Sequence, residues 1–258
     1  MKSQRVFLVV ILGIALDYSS RAANPAPKLT PENIFTVSFP EMPPTFYALE
    51  QKKDVQAQMT VCLPANYDAA RKHPLFIFLN GGDGGAGVDL GVARTLTQER
   101  EFICVSVPLF KASESKGFVL SAPDGRYMWP FFKAMLEKLE ELVPNIDPAH
   151  RVLGGFSNGA HATAALIDGS DGEVARRFCA ILLVEGGGKL RHYDMLKGKP
   201  FLMVSSNAKS RPRAQEICDL AQAAGALVTF AFHDVGKHDF PVGAYPAVRE
   251  WLRGAALK

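Results

Sequence analysis

Short apolar runs alternate with helix-spaced apolar residues along most of this chain. The runs are QAQMTVCLP (56–64), HPLFIFLNGG (73–82), EFICVSVP (101–108) and RVLGGFS (151–157), followed by FCAILLVEGGG (178–188), KPFLMVSSN (199–207) and ALVTFAFHD (226–234). Continuous apolar runs of this length, punctuated by Gly, Pro or Asn, predict strands buried on both faces. Between them the spacing becomes helical. In 129–144 the residues Phe132, Met135, Leu136, Leu139 and Leu142 share a face, and Pro144 ends the pattern. In 213–226 Ile217, Leu220 and Ala221 do the same, with Gly225 as the C-cap. AHATAALID (160–168) reads as a further helix, and 244–258 closes the chain as an amphipathic one. This alternation predicts an α/β fold with a mainly parallel, about eight-stranded sheet flanked by helices on both faces. No repeat or linker divides 24–258, which reads as one domain with a proline-bearing extended lead-in over 24–54.

The N-terminus breaks the pattern. Lys2 and Arg5 precede the eleven apolar residues Val6–Leu16, and the small residues of SSRAAN follow. This is the layout of a signal peptide over 1–23, cut after Ala22 or Ala23; an uncleaved anchor is the alternative. The apolar run is short for a bilayer span. The expectation is a secreted or periplasmic bacterial protein that does not touch a membrane after cleavage.

Charge adds little. Lys and Arg number 29 and Asp and Glu 26, so the net charge is +3. Removing 1–23 takes away Lys2, Arg5 and Arg21 against Asp17, which leaves +1 (3 − 3 + 1). With 48% hydrophobic and 21% charged residues, a disordered chain is excluded and no basic surface for nucleic acid is indicated. Cys62, Cys104, Cys179 and Cys218 have no CxxC spacing and lie in apolar segments. They read as buried thiols; a Cys62–Cys104 bridge would require neighbouring strands. No metal site or cofactor is indicated.

The chemistry gathers at strand ends, where ligands of open parallel sheets bind. After RVLGG the chain reads G-F-S-N-G over Gly155–Gly159. G-x-S-x-G between a strand and a helix is the pattern of a nucleophile elbow, which projects Ser157 from a tight turn. After FIFL come Asn80-Gly81-Gly82-Asp83-Gly84-Gly85. Such a loop can aim backbone N–H groups at an oxyanion, Gly82 from the loop and Asn158 from the elbow. A phosphate loop is the competing reading, but no Gly-Lys-Ser/Thr follows the glycines. A serine nucleophile needs a base. His238, in G-K-H-D-F-P before the last helix, is preferred over His233 at the strand end; His161 reads as a packed helix residue.

FLNGGDGG, GGFSNG and GKHDFP, in this order, resemble the α/β-hydrolase superfamily over roughly 55–255. The closest flavour is that of secreted bacterial esterases of the feruloyl esterase, polyhydroxyalkanoate depolymerase and dienelactone hydrolase type. The resemblance implies an α/β-hydrolase fold without a large cap domain. It also implies a Ser157 nucleophile, a His238 base and an oxyanion hole from Gly82 and Asn158. Two departures stand out. The glycine loop begins Asn80-Gly81 where the family has His-Gly. The strand PFLMV, which the family's acid normally follows, is followed by Ser205-Ser206-Asn207-Ala208-Lys209-Ser210, with no carboxylate. Three readings remain: Glu185, after AILLV, supplies the acid; Asn207 or Ser206 orients His238 weakly; or the domain binds without turnover.

The first function reading is a serine hydrolase of small-molecule or polymer-linked carboxylic esters. The others are a catalytically impaired binding protein and a peptidase or thioesterase of the same fold. Asp83, Tyr127 and Trp129 are the candidate substrate contacts. The aromatic pair also suits a core position.

Overall fold

The computed structural model describes residues 27–86 and 89–257. The segment read as a signal peptide lies outside the described residues. Among those residues, no helix is long and apolar enough to cross a membrane.

Eight strands form one sheet: β1 (Ile34–Phe39), β2 (Ala57–Cys62), β3 (His73–Leu79), β4 (Ile103–Ser106), β5 (Ile146–Phe156), β6 (Ala180–Val184), β7 (Pro200–Ser205) and β8 (Leu227–Phe232). Their spatial order is β1-β2-β4-β3-β5-β6-β7-β8. β1 and β2 pair antiparallel, β2 meets β4 antiparallel, and the other pairs are parallel. Side chains on a strand alternate between faces. Leu75, Ile77 and Leu79 of β3 therefore enter one core, and Phe76 and Phe78 the other. The first core is roofed by α3 (Ala122–Leu142), α4 (Asn158–Gly169) and α6 (Arg211–Ala223). The second is roofed by α2 (Gly91–Thr97) and by α7 (Tyr245–Ala256), which buries Val248, Leu252 and Ala256 at helical spacing. Two short helices, α1 (Phe46–Gln51) and α5 (Glu173–Arg177), complete the set.

Two segments differ from the sequence reading. The lead-in over 24–54 contains β1 and α1. Val37 and Phe39 face the core while Ile34 and Thr36 face outward, so β1 is a half-buried edge strand. Thr45 caps α1, its Oγ1 accepting from Ala48 N at 3.1 Å. The helix read from Trp129 begins at Ala122. Its start is marked by the Asp124 carboxylate, which accepts from Ser121 N at 2.8 Å, and by Pro123 in the first turn. Pro130 lies inside this helix, to which it contributes no N–H.

The cysteines are free thiols. Cys62 and Cys104 face each other across β2 and β4, so the strands are neighbours without a bridge between them. Burial pushes the Cys104 thiol up to about 12.

Candidate active site

β4 lies on one side of β3 and β5 on the other, so the chain reverses its direction of winding across β3. Crevices open beyond the carboxyl ends of strands at such a switch point. The loops leaving β3 and β5 meet there. A Cβ on Gly81 would stand 2.9 Å from Phe156 Cδ1 and 3.2 Å from Ser157 Cβ, so the loop can pass only as glycine.

Ser157 sits between β5 and α4 with φ 54° and ψ −119°. This is a strained conformation for a residue with a side chain, held by Ser157 N donating to Val184 O at 2.8 Å. The turn closes only because its flanks are bare. A Cβ on Gly155 would lie 2.4 Å from Gly159 C, and one on Gly159 would lie 2.0 Å from Leu79 O. Asn158 contributes the first N–H of α4, a donor that the helix leaves unused, at the positive end of its dipole.

His238 lies in the loop after β8. Its Nε2 is 2.6 Å from Ser157 Oγ and its Nδ1 is 3.2 Å from Glu185 Oε2. The ring stacks on Phe156 with centroids 5.5 Å apart. Ser206 fixes the loop on both sides of the histidine, donating from Oγ to Lys237 O at 2.9 Å and accepting from Asp239 N at 3.3 Å.

Glu185 follows β6 in the left-handed region, φ 47°. Its side chain is fully buried, so its oxygens need partners from the protein. Oε1 lies within hydrogen-bond reach of Ser205 Oγ (3.0 Å), Ser210 Oγ (2.8 Å) and Ser206 N. Oε2 accepts from Asn207 Nδ2 at 2.9 Å and faces His238. Asn207 and Ser206 therefore serve the carboxylate and the loop, and neither touches the imidazole in place of Glu185.

The glycine loop is held from several sides. Gly82 has φ 63° and its carbonyl accepts from Asn158 Nδ2 at 2.8 Å. The same side chain donates to Phe118 O at 3.1 Å, and its Oδ1 accepts from Leu120 N at 2.8 Å. Asn80 donates to Asp89 O and Ser106 Oγ.

No family model and no curated protein matches the chain. Solved structures do. A ferulic acid esterase superposes with a TM-score of 0.60 at 15% identity, over 87% of this chain and 98% of that one. The Bacillus cereus carboxylesterase gives 0.57 at 19%, over 80% and 98%. A thermostable esterase gives 0.57 at 18%; the match covers 87% of this chain but 63% of that protein, less than two thirds of its length. The chain has the α/β-hydrolase fold.

Within that fold, neighbouring histidine, acidic and aromatic residues are engaged away from Ser157. His233 ends β8 with its N–H on Ser205 O, and His238 alone reaches Ser157. Asp234 accepts from Gly236 N, and Asp239 pairs with Lys237. The Asp83 carboxylate accepts from Gln51 Nε2 at 2.8 Å and Gly85 N at 3.0 Å, which stiffens the glycine loop. Tyr127 and Trp129, the other candidate substrate contacts, belong to α3. Tyr127 meets Phe131 edge-on, and Trp129 packs with Phe132 on the core. Sequence reasoning named the Asn158 backbone but missed the clamp made by its side chain. It also missed the donors that cradle Glu185, although the density of hydroxyl and amide side chains over 205–210 was a usable signal.

Proposed function

We propose that this chain is a serine hydrolase of carboxylic esters acting through an acyl-enzyme. The single observation that carries the reading is the hydrogen-bonded line Ser157–His238–Glu185, with distances of 2.6 and 3.2 Å. His238 Nε2 takes the Ser157 Oγ proton as Oγ attacks the ester carbonyl. Glu185 holds Nδ1 as the donor and balances the imidazolium that forms. The N–H groups of Asn158 and Gly82 receive the oxyanion. The tetrahedral intermediate collapses, His238 protonates the departing alcohol, and water then attacks the acyl-enzyme by the same route. The esterase structures that share the fold support this substrate class. The N-terminal pattern of Lys2, Arg5 and Val6–Leu16 supports export of the enzyme to the periplasm or beyond.

A buried, fully partnered Glu185 beside His238 removes the main argument for an impaired binding protein, the missing acid. The deciding assay is turnover of p-nitrophenyl acetate by the wild type and by Ser157→Ala, with fluorophosphonate labelling of both. Labelling and turnover that vanish in the variant are expected. Equal turnover by the two proteins, or none by either, overturns the reading.

A further inference from the structure

A cavity of about 170 Å³ lies between the ends of β6 and β7 and the first turn of α6. It shares His238 and Glu185 with the line just described, and His161, Arg213, Ser205 and Ser210 make up the rest of its polar lining. Gly186 and Gly187 form the thin side; a Cβ on Gly186 would lie 2.3 Å from Ser157 O. The space takes a group of about five or six small non-hydrogen atoms, at about 30 Å³ for each water-sized unit.

The polar wall is unbalanced. Arg213 is exposed at the rim of this cavity and makes no ion pair or hydrogen bond among the described residues. It stands in the first turn of α6, which carries no acidic residue and whose dipole disfavours a cation. The helix therefore gains nothing from this charge. Among the described residues Glu185 is the only carboxylate that lines the cavity, and its oxygens are already occupied by Ser205, Ser206, Asn207, Ser210 and His238. The nearest other acid on α6, Glu216, pairs with Lys189. His161 is kept neutral at pH 7 by burial first, and the neighbouring Arg213 and His238 push the same way. A neutral imidazole offers one N–H without adding a charge.

Resting on the ester-hydrolase reading, we propose that the substrate carries a carboxylate within a few bonds of the scissile ester, and that Arg213 and His161 receive it in this cavity. A guanidinium offers a carboxylate two parallel N–H donors, and an uncharged ester would leave that fork empty.

The test compares kcat/KM for mono-p-nitrophenyl succinate, which is anionic, and p-nitrophenyl butyrate, which is neutral and of similar length. The wild type should prefer the succinate. In Arg213→Gln the succinate-to-butyrate ratio should fall about 10- to 100-fold, the usual weight of a hydrogen bond to a charged group. Arg213→Lys should restore part of it. A ratio unchanged in Arg213→Gln overturns the proposal. A second arm uses Ser157→Ala, which binds without turnover, titrated calorimetrically with the same succinate ester. Affinity should drop at least tenfold when Arg213→Gln is added, and equal affinities overturn the site. Absence of wild-type turnover on both esters defeats the hydrolase reading, while the binding arm still decides whether the cavity takes an anion.

Discussion

Glu185 and His238 meet from two different strand ends, Oε2 of the one 3.2 Å from Nδ1 of the other. Glu185→Gln keeps the size but replaces the carboxylate with an amide that no longer fixes the tautomer. We expect kcat for p-nitrophenyl acetate to fall by about 10³- to 10⁴-fold, as for loss of the acid in other triads. Circular dichroism should be unchanged. A loss below tenfold would remove Glu185 from the orienting role.

Asn158 ties three backbone groups, Gly82 O, Phe118 O and Leu120 N, to the start of α4. Asn158→Ala leaves these groups without their partner, at about 1–3 kcal/mol for a buried one. Stability should drop by roughly 2 kcal/mol in urea titration. The more telling readout is kinetic. If the clamp aims the glycine loop at the oxyanion, kcat should fall about 10- to 100-fold with little change in KM. A stability loss with kcat intact would reduce Asn158 to a structural tie.

Gly159 touches the backbone of β3, with the added Cβ of alanine 2.0 Å from Leu79 O. Gly159→Ala must push α4 away from β3 or spread the elbow. A loss of more than about 3 kcal/mol, seen as a large fall in the melting temperature or as insoluble protein, is expected. Gly254→Ala, at a position where an added Cβ meets nothing within 4 Å, is the matched control and should melt within a few degrees of the wild type. Equal melting temperatures for Gly159→Ala and the wild type would contradict the packing described.

His161 is held down to about 4 by burial, Arg213 and His238, against 6.5 in the unfolded chain. Between these values the unfolded state binds the extra proton, so stability falls as the pH drops through this window. Between pH 7 and pH 5 the loss should be roughly 1–2 kcal/mol. His161→Asn should flatten this slope in paired urea titrations at the two pH values. Identical slopes would show that His161 titrates normally.

Much of the site was legible before any coordinates. Ser157 and His238 are marked by local signals, glycines that permit a turn and a loop placed before the last helix. The buried strands are equally plain, because both their faces are apolar. β1 was hidden because it is short, polar at alternate positions and flanked by Pro31 and Pro40 as a linker would be, and its partners in β2 lie 18 to 28 residues away in sequence. α1 and α5 have six and five residues, too few for a helical period to repeat. Glu185 could be named from its strand end, but choosing it over Asn207 required knowing that both point at one carboxylate-sized space. The role of the Asn158 side chain depends on contacts 38 to 76 residues away, which no local pattern encodes.

The donors around Glu185 come from residues 205–210, the stretch after β7 where the resemblance stated for the sequence leads an acid to be expected. This makes the two arrangements mutually exclusive. Asn207→Asp would set a second carboxylate against Glu185 Oε2, where the amide now donates, and one of the two would have to keep a proton. Removing Glu185 first leaves four donors facing an empty space. Moving the acid from one strand end to the other therefore requires at least two coordinated exchanges. The pocket that accommodates the displaced acid also locks it in.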